Sequence, residues 1–138
     1  MCSTLFNNNA TPKSWEEANP ARVYHIHIYF DESMQATARE VVAQAKALFP
    51  GEALGGDRII GKVGPHTMTN LEIDIRKESF GKVVTWLQQN NQGLSILIHP
   101  RTGDERKDHQ ESALWLGKPV PFNDAFFAQL KSKPKGPA

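Results

Sequence analysis

The chain has 138 residues and a formal net charge of +1, with 16 Lys and Arg against 15 Asp and Glu. That length suits one domain with a real core, and so balanced a charge gives no ground for a nucleic-acid backbone or an acidic membrane surface as partner. The single cysteine, Cys2, excludes an internal disulfide. No apolar run approaches the roughly 20 residues that span a bilayer, and the start lacks the basic and apolar regions of a secretory signal. The expectation is a soluble cytoplasmic protein.

Residues 1–21, rich in Asn, Thr, Ser and Pro, are expected to form a flexible arm; residues 22–131 one domain with a C-terminal extension; residues 132–138 a tail. The first strand runs from about Arg22 to Phe30 through "VYHIHIYF". Strand side chains alternate between faces, so Tyr24, Ile26, Ile28 and Phe30 share one face while Val23, His25, His27 and Tyr29 share the other. A helix follows, with Met34, Ala38, Val41, Val42, Ala45, Leu48 and Phe49 at helical spacing; Asp31 or Ser33 caps its start and Pro50-Gly51 ends it. After a Gly-rich link, "RIIGK" reads as a short strand, turned by Gly64-Pro65 into the strand "HTMTNLEIDI". There Leu71, Ile73 and Ile75 face the core, and His66, Met68, Asn70, Glu72 and Asp74 the other side. A second helix buries Phe80, Val83, Val84 and Leu87 and closes at Gly93. The strand "LSILIHP" puts Leu94, Ile96 and Ile98 in the core and Ser95, Leu97 and His99 opposite. The remainder holds the loop "RTGDERKDHQES", expected to be solvated along its charge run Asp104 to Asp108, an apolar "ALWLG" whose Trp115 plugs the core or a dimer interface, and a short helix "NDAFFAQLK" capped by Asn123.

The order is β-α-β-β-α-β, an α+β ferredoxin-like antiparallel sheet with helices on one face, plus the C-terminal extension. The first strand then lies between the third and the fourth. One helical layer leaves the other sheet face bare, to be covered by the tail, by a second subunit in a homodimer, or by both.

That bare face is where chemistry is to be sought. His25, His27, His66 and His99 all fall on it, with Glu72 on the neighbouring strand. Histidines at i and i+2 of a strand can chelate one metal, and a carboxylate beside them completes a facial triad that suits Fe(II), with Zn(II) or another divalent ion as alternatives. The plain alternative for His25 and His27 alone is the wet face of an amphipathic strand. His66 reads equally well as a turn residue, and His109, in "KDHQE", as a solvated one.

The segments "YHIHIYFD", "GPHTMTNLEID", "LSILIHPRTGD" and "DHQESALWLG", in this order, resemble the DOPA 4,5-dioxygenase family of small extradiol-type proteins in fungi and bacteria. The family pattern matches at His25, His27, His66, Glu72, His99, Asp108, His109 and Trp115, among other positions between Tyr24 and Gly117; Thr67 and Thr69 stand in a stretch that is commonly proline-rich. The resemblance implies opening of the ring of an ortho-diphenol, such as DOPA, by dioxygen. The reading that follows takes His25, His27, Glu72 and His99 as metal ligands and His66 and His109 as acid–base groups. Arg101 or Arg106 would hold the carboxylate of an amino-acid substrate. Two rivals stand beside it: a Zn-dependent hydrolase or lyase using the same histidines, and a non-enzymatic dimer whose sheet face binds a small ligand or nothing. RNA binding is disfavoured, because the sheet face lacks stacking aromatics and presents Glu72 and Asp74 to phosphates.

Overall fold

The computed structural model describes Ser14 and residues 21–130. The expected arm therefore lies outside the described residues apart from Ser14 and Ala21, and the tail lies outside them altogether. Ala21 is buried and belongs to the domain.

Five antiparallel strands form one sheet in the order β2-β3-β1-β4-β5. They are β1 (Val23–Tyr29), β2 (Leu54–Ile60), β3 (Asn70–Arg76), β4 (Ser95–Pro100) and β5 (Leu114–Leu116). The helices are α1 (Gln35–Leu48), α2 (Phe80–Asn90), α3 (Glu105–Gln110) and α4 (Asp124–Gln129). Alternation decides the core: Ile26 and Ile28 of β1, Leu71, Ile73 and Ile75 of β3, and Ile96 and Ile98 of β4 pack with Ala38, Val41, Val42, Ala45, Val83, Val84 and Leu87 of α1 and α2. Tyr24 lies at the margin of this cluster, its ring 4.9 Å from that of Phe80. The Asp31 side chain accepts a hydrogen bond from the Met34 N–H and caps the single 3-10 turn that leads into α1. The α+β ferredoxin-like core with β1 between β3 and β4 is thus present, and the helices α1 and α2 lie on one face of its sheet.

Four local expectations are corrected. The "ALWLG" segment forms a fifth strand on β4 rather than plugging the helix-side core: Trp115 stacks on Tyr29 and tilts against Phe122, at 5.8 Å to each. Second, β2 begins at Leu54, so the Gly-rich link lies inside the strand, where the register shifts between Gly55 and Ile59. Gly56, at φ +85°, is required there, since a Cβ would stand 2.6 Å from Val42 Cγ1. Third, β3 begins only at Asn70, where its ladders with Tyr29 of β1 and Ile60 of β2 begin. His66 therefore sits in a turn. Fourth, the charge run is no solvated loop: Asp104 caps α3 through the Lys107 N–H, and Asp108 turns inward, accepting from the Thr102 N–H and hydroxyl.

The chain covers its own second sheet face. Residues 26–29 of β1 are all buried, so both sides of this part of the central strand are shielded, and Phe127 of α4 is buried close to His109. The role for which a second subunit was invoked is filled in large part by this C-terminal layer, and the sheet face by itself does not call for a homodimer. Among the described residues no helix is long and apolar enough to cross a membrane.

Candidate metal centre

The register sets the site. His25 of β1 lies opposite Asp74 of β3 and His99 of β4, and His27 lies opposite Glu72 of β3. Cross-strand neighbours on one face come within side-chain reach, so five ligand-type residues from three strands converge around the central one. His66 arrives from the 61–69 turn, its ring 4.5 Å from that of His27, and His109 from α3, 4.0 Å from the ring of His99. All five histidines of the chain are gathered in one cluster.

The ring protons are placed by their partners. Asn70 is oriented by donation from its Nδ2 to the Met68 carbonyl, which turns its Oδ1 toward His27 Nδ1 at 3.0 Å. His27 thus donates through Nδ1–H, and its Nε2 is bare. His99 donates through Nδ1–H to the Pro100 carbonyl at 2.8 Å, so its Nε2 is bare as well. These two bare nitrogens face each other at 3.2 Å. Lone pair against lone pair is unfavourable unless a cation stands between them or beside both.

The spacing fits a metal. Two imidazole nitrogens held about 2.1 Å from one ion and roughly 90–110° apart lie about 3.0–3.4 Å from each other. His25, His27 and His99 offer ligand atoms that all lie within 4.8 Å of one another. A Glu72 oxygen is 3.9 Å from His25 Nε2 and the other is 4.0 Å from His27 Nε2, inside the roughly 4.2 Å that two ligands of one ion can span. Asp74 Oδ1 is buried without a hydrogen-bond partner among the described residues, 3.8 Å from His25 Nε2, and with His25 and Glu72 forms a second ligand group that shares His25.

The electrostatics agree. Burial holds the His27 pKa well below its ordinary value, helped by the neighbouring His99 and His66. Burial and then His109 bring His99 down to about 3 and His66 down to about 4. His25 is lowered by burial against the opposing pull of Asp74. Neutral imidazole is the form that ligates a metal. Glu72 is pushed up to about 8, by burial first and then by Asp74. A carboxyl held so uneasily regains its charge when a cation arrives.

His66 and His109 flank this group. Tyr29 Oη and His66 Nδ1 are 2.8 Å apart, so one hydrogen is shared between them in either direction, and burial raises the Tyr29 pKa. His109 donates through Nδ1–H to the Glu105 carbonyl at 2.8 Å, leaving Nε2 bare. His109 is buried, not solvated as expected from its charged neighbours. The two arginines part company. Arg101, at the end of β4, acts on both His25 and Glu72, whereas the Arg106 guanidinium donates to the Phe127 carbonyl and ties α3 to α4.

Asp74, Asn70 and Tyr29 escaped the sequence reading as site residues. Strand alternation had put all three on the correct face, and that was the available signal.

Residues 24–126 match the profile of the Dopa 4,5-dioxygenase family. The chain is 32% identical over 107 residues to the DOPA 4,5-dioxygenase of Amanita muscaria, an alignment covering 72% of this chain and 47% of that protein. It is 33% identical over 79 residues to an uncharacterized 21.2 kDa protein of Botryotinia fuckeliana, covering 51% of this chain and 43% of that one. The chain thus spans about half the length of these curated relatives. A crystal structure of a candidate dioxygenase from Nostoc punctiforme superimposes with a TM-score of 0.67 at 35% identity, over 81% of this chain and 96% of that one. The chain belongs to the Dopa 4,5-dioxygenase family.

Proposed function

We propose that this chain is a non-haem, Fe(II)-dependent dioxygenase that opens the ring of an ortho-diphenol beside its two hydroxyls. The observation that carries the reading is the pair of bare Nε2 atoms of His27 and His99, 3.2 Å apart, with His25 and Glu72 within ligating reach. A bound ferrous ion would supply a Lewis acid for the diol and a path for electrons between ring and dioxygen. The name of the Amanita muscaria relative supports a catechol such as DOPA as substrate.

The remaining chemistry is assigned to the chain's own groups. Asn70 and the Pro100 carbonyl fix the tautomers of His27 and His99, so both present lone pairs without reorganisation. His109, with a bare Nε2 and a fixed Nδ1–H, takes the diol proton. His66, sharing a hydrogen with Tyr29, returns a proton as the ring opens. Trp115, Phe122 and Phe127 shield this side of the sheet from water, which strengthens every polar interaction inside.

Residence in a reducing cytoplasm, proposed from the lone Cys2, suits an iron kept ferrous. A homodimer would use a surface other than the histidine face; the edge strand β2, with Leu54 and Ile59 exposed, offers one. The test is anaerobic reconstitution with Fe(II) followed by a catechol panel, reading oxygen uptake and product spectra. The proposal expects one dioxygen consumed per catechol and a ring-opened product absorbing at visible wavelengths; metal retention with no oxygen uptake on any catechol would instead favour the Zn-dependent hydrolase.

A further inference from the structure

A cavity of ≈ 280 Å³ lies beside the histidine cluster, between the β2 segment Gly55–Arg58 and the side chains of Glu72 and Asp74. The bulge in β2 makes this space. Leu54 and Gly55 pair with Asp74 and Ile73, and pairing resumes at Ile59 with Leu71, so Gly56, Asp57 and Arg58 all stand against the single residue Glu72. Bulges bend an edge strand and re-aim its side chains, and this one does so next to a candidate ligand. Lys46 of α1 holds it in place, donating to the Gly55 carbonyl at 2.7 Å and pairing with Asp57 at 3.3 Å. Ile59 lies opposite the core residue Leu71, so by alternation Arg58 is on the face of Asn70 and Glu72.

Of the charged residues around the cavity, one is ion-paired, two belong to the candidate metal centre, and Arg58 remains. Asp57 is paired with Lys46, and Glu72 and Asp74 face His25. Arg58 lines the cavity and its charge acts on Glu72, yet it makes no hydrogen bond or ion pair with any described residue. Its planar fork of donors matches a carboxylate. Of the two arginines read from the sequence, Arg106 is engaged by the Phe127 carbonyl, which leaves Arg101, across the site, as the competitor.

We propose that this cavity is the subsite for the ring substituent of the substrate and that Arg58 reads a carboxylate carried on it. The proposal rests on the ortho-diphenol reading above. It selects catechols with an anionic side chain over neutral ones.

The test compares kcat/KM for 3,4-dihydroxyphenylacetate and 4-methylcatechol in the Fe(II)-loaded wild type and in R58Q, R58K and R101Q, with thermal melts to establish that each variant folds. The ratio of the two values should fall roughly 10- to 100-fold in R58Q, the loss expected of one charge-assisted contact, and recover in part in R58K. A ratio unchanged in R58Q, or a fall confined to R101Q, overturns the proposal. Calorimetric titration of the same two compounds into the redox-inert Zn(II)-loaded chain keeps the two readings apart. If the wild type opens no catechol, the dioxygenase reading fails, while weaker binding of the carboxylated compound by R58Q still supports the subsite and equal binding by R58Q and wild type refutes it.

Discussion

His27 and His99 approach each other through their Nε2 atoms at 3.2 Å while both Nδ1 protons point away, one to Asn70 and one to the Pro100 carbonyl. Neither ring can relieve the contact by switching tautomer without abandoning a buried hydrogen bond, and a net protein hydrogen bond is worth about 1 kcal/mol, more when its loss leaves a buried group unpaired. The folded chain therefore holds two lone pairs together in an arrangement that a cation resolves.

Asn70 is the more exchangeable of the two partners, since a main-chain carbonyl cannot be mutated. Asn70→Ala should weaken divalent-metal binding by roughly 10–100-fold, the usual cost of removing a group that orients a ligating histidine. Competition with a calibrated chelator measures it. Wild-type affinity in this variant would show that the tautomer of His27 is fixed by something else.

His66→Ala and His109→Ala should keep the metal and slow ring opening by roughly 10²–10⁴-fold, as expected for loss of a proton-transfer group. Tyr29→Phe should reproduce part of the His66 defect, because the Oη–Nδ1 contact at 2.8 Å is what orients that ring. Metal analysis beside single-turnover kinetics separates the two roles; loss of the metal in His109→Ala would move that residue into the ligand set.

Metal-free stability should depend on pH in a definite direction. His99 at about 3 and His66 at about 4 stay neutral in the fold, and His25 and His27 are lowered too, while in the unfolded chain all four bind protons near pH 6.5. As pH falls below about 6.5 the unfolded state takes up protons that the folded state refuses, so stability drops. Glu72 works the other way: at about 8 it keeps in the fold a proton that the unfolded chain releases above its ordinary 4.5, so its contribution is lost between those values as pH rises. Four histidines outweigh one carboxyl on the acid side. In chelator, the melting temperature should fall between pH 6.5 and 5, with a shallower decline from 6.5 to 8, and excess divalent metal should raise it most near neutrality. A metal-free melting temperature that rises on acidification through that range would contradict these shifts.

Much of this site can be read from alternation alone. The spacing of Ile26 and Ile28 put His25 and His27 on the opposite face of β1, the same rule placed Glu72 and His99, and the ferredoxin-like order made their strands neighbours. His109 was not legible in the same way. Four of the six residues Asp104 to His109 carry formal charge beyond the cap, and only the fold reveals that Asp104 is spent on capping α3 and Asp108 on Thr102, which rolls His109 inward. The β2 bulge was hidden for a related reason. Gly55-Gly56 looks like a linker by composition, and its place inside a strand depends on Val42 of α1 filling the space where a Cβ would go. Local pattern gives faces; which groups close over a face is decided by contacts between segments far apart in sequence.

The most direct test of the metal centre is anaerobic titration of the metal-free chain with Fe(II), alongside His27→Ala and His99→Ala. The account predicts one ion bound per wild-type chain, with both variants losing tight binding and ring-opening activity together. Retention of the ion at wild-type affinity in either variant, or no binding by the wild type, would contradict it.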